Sequence, residues 1–293
     1  MTRPEDEEAD IESSRAPLLE HLTELRSRLL VCVAAFILGF ILCFAFAGPL
    51  YVFLVKPFAA ASALYEASGG KGVSPFDLIL VTAGIQPLPE GASNVGLIST
   101  APLEFLITKI KLAAFGAIVI TFPILAWQIY GFVAPGLYRN ERKAFLPFLL
   151  AAPFLFLIGT AMVYFIMLPF VMSFSLGQQI ATAEVSVTLM TRVSDYLNLV
   201  TALLLAFGLC FQLPVVMTLL GLAGIVNADM LASGRKYAVV AIFVVAAFVT
   251  PPDPISQVML GLPLLILYEI SIWCVRLIET RRRREDEAAG LAA

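Results

Sequence analysis

Six runs of apolar residues, nearly free of charge, constrain this chain more than any other feature of its sequence. They extend from about 29 to 47, 105 to 131, 144 to 174, 196 to 222, 237 to 249 and 256 to 275. A helix needs about 20 apolar residues to cross the hydrocarbon core, fewer where the bilayer thins. Runs of this length are far too long for barrel strands, and backbone groups in lipid must be satisfied within the segment, so the runs are expected to be helices. Soluble domains are about 45–50% apolar and about 25% charged. Here 60% of 293 residues are apolar and 14% are charged, which leaves too little polar surface to cover a water-facing globule. The mean hydropathy is +0.91. The expectation is an all-α integral membrane protein of six transmembrane helices.

Basic residues set the orientation. Arg15, Arg26 and Arg28 precede the first run, Arg139, Arg142 and Lys143 separate the second from the third, and Arg235 and Lys236 precede the fifth. Arg276 and the run Arg281 to Arg284 follow the sixth. Six crossings put these four segments on one side, which the positive-inside rule makes cytoplasmic, with both termini. The acidic stretch Glu5 to Glu12 lacks the basic n-region of a secretory signal, so the first run is expected to stay as an anchor. Residues 1–16 are expected to form a flexible acidic tail, 17–278 the membrane domain and 279–293 a charged tail. The external segment 48–104 holds Pro57, Pro75, Pro87 and Pro89 and is expected to contain short helices and turns.

Several chemistries find no support. Cys32, Cys43, Cys210 and Cys274 all lie in apolar runs, without a C-x-x-C or a neighbouring histidine, and read as small hydrophobes; no disulfide, metal or cofactor is expected. The patch Gly69-Gly-Lys-Gly72 has Tyr65 where a phosphate loop needs its first glycine, and no Ser or Thr follows Lys71, so it is a turn. No G-x-S-x-G or H-E-x-x-H occurs, His21 is the sole histidine, and no long basic patch suggests nucleic acid. An enzyme is not expected.

The residues before the first run carry more information. Leu18, Leu22, Leu25 and Leu29 recur at helical spacing, which predicts an interfacial helix leading into the first span. Its polar side presents Glu20 and Glu24, with Arg28 four residues beyond Glu24. That spacing fits an ordinary i,i+4 ion pair, worth a few tenths of a kcal/mol, and equally an acidic receptor for a basic peptide. Glu141, among Arg139, Arg142 and Lys143 and after the break at Pro135-Gly136, allows the same two readings. Carboxylates beside apolar grooves can take guanidinium groups bidentately, which separates arginine from lysine.

Four ordered motifs give the sequence a family resemblance. His21-Leu-Thr-Glu-Leu-Arg26, Pro135-Gly-Leu-Tyr-Arg-Asn-Glu141, Phe207-Gly-Leu-Cys-Phe-Gln-Leu-Pro214 and Thr250-Pro-Pro-Asp-Pro-Ile-Ser-Gln257 resemble, in order and spacing, those of TatC, the core subunit of twin-arginine protein translocases. The resemblance covers roughly residues 17 to 278. It implies a glove-shaped bundle of six helices in a bacterial cytoplasmic membrane, with kinked helices and short fifth and sixth spans. It further implies a receptor for Arg-Arg signal peptides of folded cargo, self-association, and partnership with TatA and TatB in export driven by the proton-motive force. By the same resemblance, Glu24 and Glu141 recognise the arginine pair, Arg26, Phe132 and Pro135 belong to the surrounding surface, and Pro57 belongs to the first external loop. The resemblance also places Gln212 on the concave face, at a position that glutamate can occupy in the family; a neutral amide there donates and accepts hydrogen bonds but carries no charge. Thr250, Asp253, Gln257 and Glu269 fall on the edge expected to meet partner helices.

The residues leave rival readings at the last two sites. Asp253 and Ser256 could simply cap the sixth helix after Pro251 and Pro252. Glu269, inside the sixth run, must be protonated, paired or turned to a polar groove, because an isolated carboxylate in hydrocarbon is expensive. A small-solute secondary transporter using Glu269 and Gln212 is the principal alternative function, and a purely structural membrane scaffold is the third. The fifth run, about 13 residues and about 20 Å, falls short of a hydrocarbon core of about 30 Å, so the bilayer is expected to thin along that edge. Pro123, Pro147, Pro153, Pro169, Pro214 and Pro263 are expected to kink their helices.

Overall fold

The computed structural model describes residues 4–69, 73–87, 97–99, 101–133, 141–178, 180–181, 186–187, 191–249, 254–288 and 290. Among the described residues the only strands are the two-residue pair Ile180–Ala181 and Ser186–Val187; the rest is helix and short turns. Helix α1 (Pro4–Ala45) is continuous from the acidic segment, through the leucine-patterned stretch, into the first apolar run. No glycine or proline stands between Leu18 and Leu38, so nothing interrupts the hydrogen-bond ladder between them. The expected interfacial helix and first span are therefore one rod.

Helix α4 (Glu104–Val133) runs antiparallel to α1. Small residues let the two approach. A Cβ on Gly39 would stand 2.8 Å from Thr121 Cγ2, and one on Gly116 would stand 2.9 Å from Cys43 Sγ. Helix α5 (Glu141–Met162) passes through a π-helical turn, Val163–Met167, into α6 (Leu168–Gly177). Pro169 follows that turn and deprives the Phe165 carbonyl of its usual donor. Helices α7 (Val193–Cys210) and α8 (Leu213–Leu222) are separated by a turn at Phe211 and Gln212, just before Pro214. Pro123, Pro153 and Pro263 lie inside helices without such an interruption. Gly224, at φ +69°, ends α8: its N–H reaches the Gly221 carbonyl and that of Ile225 the Leu220 carbonyl. Short α9 (Ala228–Ser233) leads to α10 (Arg235–Val249) and to α11 (Pro254–Ala288), which continues well into the segment expected as a charged tail.

Among the described residues six stretches are long and apolar enough to cross a membrane, and five of them overlap runs expected from the sequence. They are Leu22–Ala45, Ala47–Ala67, Glu104–Ile129, Leu149–Gly177, Val193–Leu222 and Gln257–Arg281. The second is α2 (Ala47–Ala67), inside the segment expected to be external, whereas α10, with 15 residues, is too short to qualify. The packing of α2 explains its apolar sequence. Tyr51 meets Phe105 at the start of α4, Phe53 stacks on Tyr164 and Phe58 packs on Tyr196 near the start of α7. Helix α2 thus lies at the end of the bundle where α4 and α7 begin, buried against protein there. Pro57 contributes directly: without an N–H it cannot bond the Phe53 carbonyl, and the Tyr164 hydroxyl donates to that carbonyl instead, at 2.8 Å. The Tyr196 hydroxyl donates to the next carbonyl, Leu54, at 2.9 Å. Helix α3 (Pro75–Thr82) packs beside α2 and α6, with the Phe76 ring edge-on to Phe170.

At the same end, Glu104 accepts the Ser194 hydroxyl at 2.6 Å and so joins the first turns of α4 and α7. The main core extends from α2 and α6 through α7 to α11, and at the α5–α7 contact Phe156, Leu203, Leu204 and Phe207 are fully buried. Outward residues such as Leu38, Phe154 and Phe248 are exposed and apolar, as a lipid-facing surface requires.

Candidate functional site

Glu24 and Arg28 occupy one face of α1, four residues apart. Arg28 donates from Nε at 3.0 Å and from Nη2 at 2.6 Å to the same oxygen, Glu24 Oε1. Its Nη1 reaches across to Gln128 Oε1 on α4 at 3.5 Å. Gly131 lies beneath the same guanidinium: a Cβ there would stand 1.9 Å from Nη1. The pair is about a third exposed, 27% for Arg28 and 34% for Glu24, so it is open to an incoming ligand. The structure therefore shows the i,i+4 ion pair and adds two contacts to α4.

The other residues expected at this site are distributed unevenly. Arg26 is exposed and, two residues from Glu24, projects from a different side of α1. Phe132 is half-buried and next to Gly131 in the last turn of α4. Pro135 lies outside the described residues; the Glu141 backbone opens α5, but its side chain also lies outside them. Gln128 and Gly131 were missed. Gln128 is the one amide in the run 105–131, and that was the available signal.

Gln212 sits in the turn between α7 and α8, and its Nε2 donates to the Ala152 carbonyl of α5 at 2.9 Å. The donor half of the amide joins two helices, a role that an ionised carboxylate could not fill. Replacing Gln212 by leucine should lower stability by about 1 kcal/mol, as expected for one lost hydrogen bond; thermal unfolding in detergent measures it.

At the α10–α11 edge, Glu269 is paired with Arg235, Oε1 to Nε at 2.7 Å and Oε2 to Nη2 at 2.8 Å. This fork-to-fork geometry resolves the cost of a carboxylate in an apolar run. Shortness of α10 makes it possible, because its first residue lies level with the middle of α11. Gln257 donates to the Phe243 carbonyl at 3.1 Å and fastens the other end of the hairpin. Thr250 and Asp253 lie outside the described residues. The Tyr268 hydroxyl donates to the Leu231 carbonyl, and Glu279 accepts the Ala228 N–H, so α9 is fixed to α11 as well.

Between α1, α2, α4 and α5 lies a cavity of about 300 Å³, lined by Cys43, Leu54, Phe115, Ile120, Leu157 and other apolar groups. The two hydroxyls on its wall, Thr160 and Tyr164, are spent on the Phe156 and Phe53 carbonyls. It therefore offers apolar contact only.

Residues 20–263 match the family model for the Sec-independent protein translocase protein TatC. The chain belongs to the TatC family. It is 41% identical to the TatC of Magnetococcus marinus over 96% of this chain and 90% of that relative. It is 38% identical to the TatC of Rickettsia prowazekii, over 90% and 94% of the two chains. Among solved structures, a crystal structure of the twin arginine translocase receptor TatC is similar, with a TM-score of 0.66, 34% identity, and coverage of 88% of this chain and 98% of that one. This TatC-family chain is a multi-pass membrane component of a protein translocase, and its role is not enzymatic.

Proposed function

We propose that the chain is the receptor and core scaffold of a twin-arginine translocase in a bacterial cytoplasmic membrane, with Glu24 and Glu141 taking the two signal arginines at the cytoplasmic face. The observation that carries this reading is the Glu24 carboxylate already holding a guanidinium through Nε and Nη2 at a partly open surface. Membership of the family, and the receptor named in the solved relative, support it further. The apolar stretch of the signal would lie along the face that holds the 300 Å³ cavity. TatA and TatB helices would gather near Gln212 and the α10–α11 edge, and the proton-motive force would supply the work. Arg235 and Glu269, level with the middle of α11, would bring water and headgroups inward there, in keeping with a thinned bilayer. In the described residues both polar groups of the transporter alternative, Glu269 and Gln212, are engaged within the chain, which favours the receptor.

Binding of labelled Arg-Arg and Lys-Lys signal peptides to the protein in nanodiscs tests the reading. The expected result is at least about 10-fold tighter binding of Arg-Arg, since a guanidinium gives a carboxylate two parallel charge-assisted bonds where an ammonium offers only a point charge, and loss of that preference in Glu141→Ala. Equal affinity for both peptides would overturn it.

A further inference from the structure

Arg28 occupies more than an ion pair. Its planar group meets Glu24 Oε1 through Nε and Nη2, and Gln128 Oε1 faces Nη1 from the opposite helix. The missing side chain of Gly131 supplies the space in which Nη1 lies. Acceptors on two sides of a flat cation and a gap sized to it describe a seat for a guanidinium. A lysine ammonium is a point charge without a fork, and cannot hold Glu24 and Gln128 together in this way.

We propose that Glu24, Gln128 and Gly131 form a seat for one arginine of the bound peptide, and that Arg28 is its resident stand-in, held there until the peptide arrives. The proposal rests on the receptor reading and extends it to residues on α4. Two consequences follow from the exchange. Arg28 must leave before any cationic side chain enters, so it weakens arginine and lysine peptides by the same factor and leaves their ratio untouched. The seat contributes to the ratio together with Glu141, because only a guanidinium recovers the contacts that Arg28 gives up.

The test compares Arg-Arg and Lys-Lys peptide affinities in nanodiscs for wild type, Arg28→Gln, and Arg28→Gln combined with Gln128→Leu or with Gly131→Val. Arg28→Gln should tighten both peptides by about fivefold, the scale of one partly exposed charged contact, with the Arg-Arg preference kept. Adding Gly131→Val should bring Arg-Arg affinity down to that of Lys-Lys, because the valine side chain fills the space used by Nη1. Adding Gln128→Leu, a milder change in packing, should lower the preference about threefold, the effect of one hydrogen bond at a partly open site. Unchanged or weaker Arg-Arg binding in Arg28→Gln would overturn the stand-in role. A full Arg-Arg preference in both combined variants would overturn the seat while leaving the receptor standing. Absence of any preference in wild type and Arg28→Gln alike would overturn receptor and seat together.

Discussion

Glu24→Gln should bind an Arg-Arg peptide about 30- to 100-fold more weakly than wild type while folding almost as well. Removing one partner of a close charged hydrogen-bonded pair costs about 2–5 kcal/mol in binding, and partial exposure of this site places it near the lower end. The same substitution breaks the Arg28 ion pair, but an i,i+4 pair a third exposed contributes only about 0–1 kcal/mol to stability. Arg28 also keeps its second acceptor on Gln128. Titration of a labelled peptide by fluorescence anisotropy, alongside thermal unfolding of the same sample, separates the two effects. Weak binding with an unchanged melting curve is the expected outcome; parallel loss of both would make Glu24 a structural residue.

Gly159→Val should be the most damaging single substitution for stability. A Cβ on Gly159 would stand 2.8 Å from the Phe207 carbonyl oxygen and 2.8 Å from Phe211 Cγ. Across the same contact a Cβ on Gly208 would stand 2.5 Å from the Phe156 ring. Backbone atoms on one side and buried rings on the other give the extra methyls nowhere to go, so α5 and α7 must separate. Overpacking of this kind costs about 3 kcal/mol, equivalent to a fall in Tm of about 6 to 12 °C for a chain of this size. Separation of the helices would also stretch the Gln212 bond to Ala152. Gly48→Ala is the control: nothing stands within 4 Å of its Cβ position, and its effect should stay within about 0.5 kcal/mol.

Apolar run length made most of the fold legible, because a bilayer-spanning segment must be helical whatever its neighbours do. The two differences arose where run length and position diverge. Helix α2, in the segment expected to be external, is apolar where it packs on Tyr164, Tyr196 and Phe105, so length and composition alone count it with the spans. Helix α10 is short and begins level with Glu269, a match between two helices of a hairpin that neither run contains alone. At the candidate site, Glu24 and Arg28 were visible as an i,i+4 pair, since one helix turn sets their distance. Gln128 and Gly131 were not, being separated from Arg28 by about a hundred residues.

The sequence by itself determined that the chain is helical and membrane-embedded, that most of its basic residues gather at one set of run ends, and that its motifs resemble those of TatC. These properties depend on composition, periodicity and local order, which a linear string carries in full. Tertiary structure decided what each polar group does. It sets Gln212 against Ala152, Arg235 against Glu269 and the Arg28 guanidinium between Glu24 and Gln128. Such pairings depend on which helices lie side by side and in what register, and both are fixed by close approaches at Gly39, Gly116 and Gly159 that only the packed bundle creates.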